Sequence, residues 1–461
     1  MKEIPLKLTE KIGYALGDTA SNFFFQTFNL FLLYYYTDIF GLPAVWVGSM
    51  MLAARLWDAV SDPLMGILAD RTKTRWGCYR PYLLWMSIPY GVIGFLIFAN
   101  PDLDTLTQKK IYAAATYLLM MTAYTAINIP YSALMGVMSR SSDERTTLST
   151  YRFVGAFSGM LVISACALPL KNFLGGVTPG LHGELLIQAE ATGFRLTMML
   201  FAVISIVLFV ITFATTRERI KPKREENTSI FRDFKILLHN RPWAVMWIAA
   251  ILTLTNAAVR NGSVIYYFKY YIGSETQATY FYTTSGIAMV LGVACTKLFT
   301  ARWSKKSLMI VLSALNAISI LAFFFIPKDQ IVLMHVVNAI GTFLVGPTPA
   351  LVWALYSDTA DYAEWKFKRR ATALTFSSAM FAQKLGLALG AGMAGWILSY
   401  LGFIANQAQT PEALLGIRLI FSIIPAAFAF ANAGVMCFYP LNEEKVAEIE
   451  EALKQRNDCD D

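Results

Sequence analysis

The sequence predicts an all-α protein that crosses a membrane twelve times, in two sets of six helices. Three observations carry that reading. The 461 residues are 56% hydrophobic and only 15% charged, with a mean hydropathy of +0.48. That is too apolar for a soluble protein of this size. Apolar runs of about 20 residues, the length a bilayer requires, recur along the whole chain. Lysine and arginine concentrate in alternate loops, the bias that marks a cytoplasmic side.

The spans are expected at 12–37, 44–68, 81–98, 111–137, 148–170, 196–215, 243–271, 280–303, 308–326, 331–355, 373–401 and 417–439. The loop 38–43 has no Lys or Arg, whereas the next carries Arg71, Lys73, Arg75 and Arg80. The central loop holds Arg217, Arg219, Lys221, Lys223, Arg224, Arg232, Lys235 and Arg241. Lys305 and Lys306 follow the eighth span, and Lys366, Lys368, Arg369 and Arg370 the tenth. These loops and both termini are therefore expected in the cytoplasm. The domains expected are 1–216, a central loop 217–242, 243–440 and a cytoplasmic tail 441–461 with Glu, Lys and Ala at helical spacing. The net charge of +8 follows this loop bias and does not point to nucleic acid. No cleavable signal peptide is expected.

Polar residues within the spans mark where function would lie. The first span carries Asp18, Asn22, Gln26 and Asn29 along one helical stripe. In the second, an apolar run broken by Arg55 contains Asp58 and Asp62, four residues apart and so on one helical face. A carboxylate in a bilayer costs about 2.5–3.5 kcal/mol on insertion scales and rarely faces lipid. Two on one face point to a water-lined cavity and a bound cation. The fourth span has Thr125 and Asn128 before Pro130, the fifth Arg152, the seventh Asn256, Arg260 and Asn261, and the eleventh Gln383 and Lys384. Lys384 is too deep to reach the surface easily and is expected to line the cavity or pair with Asp58 or Asp62.

Other functions find no support. The five cysteines and three histidines lack metal-ligand or redox spacing, so no metal cofactor and no disulfide is expected. There is no Gly-Lys-Ser/Thr phosphate loop for ATP-driven transport. The two acids share one helix without a serine or histidine partner, against a membrane enzyme. The tail is too short for the output domain of a receptor.

Two sets of six spans are the layout of the major facilitator architecture, with substrate bound between pseudo-symmetric halves near the midplane. The stretch Gly66-Ile67-Leu68-Ala69-Asp70-Arg71-Thr72-Lys73-Thr74-Arg75 resembles that fold's signature. The resemblance implies that Asp70, Arg71 and Arg75 belong to a cytoplasmic gate.

Further motifs resemble the glycoside–pentoside–hexuronide:cation symporters over nearly the whole length. They are Gly13-Tyr14 with Gly17-Asp18, Tyr35-Tyr36-Thr37-Asp38, Trp57-Asp58 with Ser61-Asp62-Pro63, and Thr74-Arg75-Trp76-Gly77 before Arg80-Pro81. Asn128-Ile129-Pro130-Tyr131 and Ser357-Asp358-Thr359-Ala360-Asp361-Tyr362-Ala363-Glu364 complete the set. The resemblance implies a cation site at Asp58, Ser61, Asp62 and Thr125. Ser61 stands where the melibiose carrier has Asn, which leaves sodium and proton coupling both open. It implies a sugar site that includes Asn22 and Asn128, where the melibiose carrier has Asp, with Arg152 and Lys384 as retained basic residues. Asp18, Gln26 and Arg260 join the candidate sugar site, and Asp358 and Asp361 the candidate gate. Ile404-Ala405-Asn406-Gln407 and Gln409-Thr410-Pro411-Glu412 resemble the glucuronide carrier. Amides in place of carboxylates lower repulsion toward an acidic sugar.

The expected function is import of a hexuronide or pentoside with Na+ or H+, across the inner membrane of a bacterium, with the monomer as the working unit. The alternatives are a neutral xyloside or galactoside as substrate, or a facilitative uniporter. A uniporter would have no need of the acid pair.

Overall fold

The computed structural model describes residues 6–139, 142–178, 180–219, 239–367 and 372–460. Lys221, Lys223, Arg224, Arg232 and Lys235 of the central loop, and Lys368, Arg369 and Arg370, lie outside the described residues. The described residues form helices joined by short loops, with one isolated bridge between Thr74 and Gly77. They divide into two compact units. One is Met1–Arg224 with Leu398–Thr410; the other is Glu225–Ile397 with Pro411–Asp461.

The first unit contains α1 (Leu8–Thr27), α2 (Ala44–Arg71), α3 (Arg80–Trp85), α4 (Ser87–Ile97), α5 (Leu106–Met138), α6 (Ser142–Gly175) and α7 (Gly183–Thr215). Helix α1 runs on through π-helical turns at Phe28–Leu32 and Tyr35–Ile39. Helix α2 is patterned inside out relative to a soluble helix. Leu56, Val60, Leu64, Ile67 and Leu68 are exposed, while Ala54, Arg55, Asp58, Ser61, Met65 and Ala69 are buried. An exposed apolar face of this kind suits lipid better than water, and Arg55, Asp58 and Ser61 turn into the bundle. The third span is split rather than continuous. Pro89 lacks an N–H and its ring would clash with the carbonyl of Trp85, where α3 ends. Helix α1 packs closely on α6, because a Cβ at Gly155 would meet the Ala15 carbonyl. Thr19 Oγ1 donates to the Gly155 carbonyl at 2.9 Å.

The second unit contains α8 (Arg241–Tyr266), α9 (Glu275–Ala294), α10 (Thr296–Thr300), α11 (Lys305–Ala322), α12 (Ile331–Val345), α13 (Thr348–Phe367), α14 (Thr372–Tyr400), α15 (Pro411–Arg418), α16 (Ile424–Cys437) and α17 (Glu443–Asp460). The tenth span breaks at Gly346-Pro347 and continues to Phe367, beyond the expected end at 355. The tail forms the expected helix, α17, and Leu441 and Ile449 join a core with Met246, Leu312, Tyr356 and Tyr439. Among the described residues, eight stretches are long and apolar enough to cross a membrane, including α5, α7 and α11. The spans with the polar stripes of the sequence, α1 and α2, are not in that set.

Candidate functional site

Within the first unit, the acids of α2 have two different settings. Asp58 is almost completely buried and forms an ion pair with Arg55, one turn earlier, at 3.6 Å. The Arg55 guanidinium also lies 5.9 Å from the Phe25 ring. Asp62 is half-buried and accepts a hydrogen bond from Thr125 Oγ1 of α5 at 2.8 Å. Ser61 is buried between them in sequence, and its Oγ has no hydrogen-bond partner among the described residues. Two carboxylates and two hydroxyls are hard oxygen donors of the kind that suit an alkali cation. Arg55 was not among the residues singled out from sequence, although an i, i+3 spacing to an acid is a readable signal.

The α1 stripe is tied into its neighbours. Arg152 Nε of α6 donates to Asp18 Oδ2 at 2.9 Å, and the guanidinium lies 5.2 Å from the Tyr131 ring. Tyr131 stacks on Tyr14 at 4.6 Å and donates to the Tyr14 carbonyl at 2.6 Å. Asn22 Nδ2 donates to the Asp18 carbonyl at 2.8 Å, and Gln26 Nε2 donates to Asn22 Oδ1 at 3.4 Å. Asn128 joins α5 to α1: Ser21 Oγ donates to its Oδ1 at 2.8 Å, and its Nδ2 donates to the Tyr124 carbonyl at 3.1 Å. A carboxamide has four hydrogen-bonding positions, so both amides retain capacity for a ligand. The structure thus places Asp18, Asn22, Gln26 and Arg152 in one connected chain, and Asp62 with Thr125 in a second contact.

The loop after α2 is built around Tyr79. Its hydroxyl donates to Asp70 Oδ1 at 2.7 Å. Burial first, then the Asp70 hydrogen bond, pushes the Tyr79 phenol upward. Burial, and after it the carboxylates of Glu218 and Asp70, pushes the Cys78 thiol up. Arg71 and Arg75 are exposed, with Arg75 4.6 Å from the Trp76 ring.

The second unit holds the other candidates. Arg260 sits among the rings of Phe281, Phe323 and Phe421, at 5.8, 4.8 and 5.2 Å. Lys384 is half-buried on α14. Asp358 of α13 is buried and accepts from Lys305 Nζ at 2.8 and 3.0 Å. Asp361 lies three residues on, half-buried.

The profile of the MFS/sugar transport protein family matches residues 13–443. The chain is 35% identical to a putative glycoside/cation symporter, YagG of Escherichia coli K12, over 97% of this chain and 95% of that protein. It is 32% identical to the isoprimeverose transporter of Lactiplantibacillus pentosus, over 97% and 92% of the two chains. With the glucuronide carrier protein homolog of E. coli K12 it shares 30% identity, over 95% and 93%. Its fold resembles the xylose transporter XylE from E. coli in an inward-open structure, with a TM-score of 0.63 at 11% identity, covering 96% and 98% of the chains. The chain belongs to the MFS/sugar transport family, as a multi-pass sugar:cation symporter of the glycoside–pentoside–hexuronide type rather than an enzyme.

Proposed function

We propose that the protein imports a hexuronide or a pentose-containing glycoside, coupled to Na+ or H+ through Asp58 and Asp62. The observation that carries the coupling role is the α2 polar face: two acids, one paired with Arg55 and one held by Thr125, in a helix whose other face is apolar. A bound cation would compete with Arg55 for Asp58 and neutralise the remaining charge of Asp62. Asn22 and Asn128, with Arg152, would receive the sugar in the first unit, and Lys384 is the candidate of the second. The likeness to an isoprimeverose transporter supports a pentoside, and that to a glucuronide carrier homolog supports an acidic sugar. With cation and sugar both bound, the site would change its exposure from one side of the membrane to the other. The loop charges support cytoplasmic termini, and the likeness to an inner membrane symporter of Escherichia coli K12 supports a bacterial inner membrane.

Uptake of labelled neutral and acidic glycosides into proteoliposomes, with sodium and proton gradients imposed in turn, tests this. Accumulation of a hexuronide or pentoside driven by one of the two gradients is the expected result. Equilibration without accumulation would establish the uniporter instead. Preference for a galactoside would overturn the substrate assignment alone.

A further inference from the structure

Just before the segment that joins the two units, one side chain closes an anion cradle in the loop after α2. Three consecutive backbone N–H groups, of Cys78, Tyr79 and Arg80, donate to the Glu218 carboxylate at 2.8, 2.7 and 2.9 Å. Successive amides turned toward one point form a nest for an anion, and bonds to a carboxylate are the stronger class. Gly77 makes the approach feasible. It lies at φ +113°, and a Cβ there would fall within the Glu218 carboxylate. The turn is closed on itself by Thr74 Oγ1, which donates to the Gly77 carbonyl at 2.8 Å.

The adjoining residues spread this contact across the cytoplasmic face of the unit. Arg219 Nη2 donates to Glu10 Oε2 of α1 at 2.9 Å, and its backbone N–H donates to the Val137 carbonyl of α5 at 2.9 Å. Arg80 Nη2 donates to the Phe213 carbonyl of α7 at 2.7 Å. Two consecutive residues, Glu218 and Arg219, therefore bind the loop after α2 together with the ends of α1 and α5. The same loop holds Asp70 through Tyr79 and carries Arg75 on Trp76.

We propose that Glu218 is a positioning residue of the cytoplasmic gate: its carboxylate, seated in the 78–80 nest, fixes the loop that holds Asp70 and Arg75. This rests on the reading of those charges as gate residues. The bonds of Glu218 run to loop backbone and not to a candidate sugar or cation residue, so its loss should act on the rate of the conformational cycle and not on sugar affinity.

The test uses the full-length protein. Tryptic cleavage after Arg75, mapped by mass spectrometry, reports opening of the loop and needs no sugar. Losing charge-assisted bonds of this kind is expected to raise the cleavage rate about tenfold or more in Glu218→Ala. Gly77→Ala, which evicts the carboxylate without removing it, should do the same, and the double variant should be no faster than either. Glu218→Asp should restore part of the protection. Glu218→Gln, close in shape, serves if the alanine variant fails to fold. In proteoliposomes the maximal uptake rate should fall at least about fivefold while the sugar Kd stays within about twofold. Wild-type cleavage in Glu218→Gln and Gly77→Ala overturns the latch. An opened loop with wild-type uptake, or a Kd that rises as uptake falls, overturns the gating role. If the wild-type protein moves no sugar, the transport reading fails while the cleavage arm still judges the latch.

Discussion

Arg55 governs how the acids of α2 respond to substitution. Both Arg55 and Asp58 are buried, and removing one member of such a pair leaves an uncompensated charge, at a cost of about 3–5 kcal/mol. Asp58→Asn and Arg55→Gln should each lower the melting temperature in detergent, and the double variant should regain part of the loss. Failure of the double variant to regain any would argue against the pair. Asp62 is the cleaner probe of coupling. An amide at 62 still accepts from Thr125, so the change removes charge and leaves the contact. Asp62→Asn should keep the wild-type melting temperature, lose accumulation against a gradient and retain some exchange. Wild-type accumulation would remove Asp62 from the coupling mechanism. The acids were legible in the sequence because a spacing of four defines a helical face. The Asp18–Arg152 contact was not, since its partners stand 134 residues apart and only the packing of α1 on α6 joins them. The Glu218 cradle was equally hidden, because it depends on a left-handed glycine and three backbone amides that no side-chain pattern announces.

At the scale of the helix, close approach of backbones does what long side chains cannot. Gly155 lets α6 lie against the Ala15 carbonyl, and Arg152 reaches Asp18 from less than a turn away along the same helix. Gly155→Val should force the helices apart and destabilise the unit by roughly 1–3 kcal/mol, with loss of sugar binding. A melting curve and a binding isotherm check both. The first turn of α1 adds a pH dependence. Burial raises the Glu10 carboxyl, but the Arg219 hydrogen bond, the Lys7 backbone N–H and the Arg219 charge outweigh it, and the net shift is below the ordinary 4.5. A carboxyl lowered on folding contributes stability that is present above its unfolded value and lost as pH falls through the folded one. Glu10→Gln should therefore lower stability at neutral pH and flatten its decline below about pH 4.5. A variant whose acid limb matches the wild type would show that the Arg219 contact contributes nothing. The helices themselves were readable from apolar length. Their breaks at Met86 and Gly346 were not placed, because one proline three residues on, or a Gly-Pro step, interrupts a run that hydropathy alone reads as continuous.

For the whole molecule, membership of a cation symporter family implies that two ligands share one free energy. If cation raises sugar affinity by a factor, sugar must raise cation affinity by the same factor, whatever path the coupling takes through the protein. Such factors are commonly about 5–150. The physical origin proposed here is local: a cation drawn to Asp62 and Asp58 relieves charge on α2, whose partner Thr125 lies three residues, and so about one turn, from Asn128 on α5. Neutralising α2 would steady the face of α5 that carries Asn128, the amide proposed to receive sugar. Sugar Kd measured by tryptophan fluorescence at zero and saturating Na+, and then across a proton range, gives one side of the cycle. Cation Kd with and without sugar gives the other. The two ratios should agree for one cation and be close to one for the other, and Asp62→Asn should bring both to about one. Ratios of one for both cations in the wild-type protein would leave the acids without a coupling role and favour a uniporter. Unequal ratios would show that a second binding event, such as another cation, had been counted as the first.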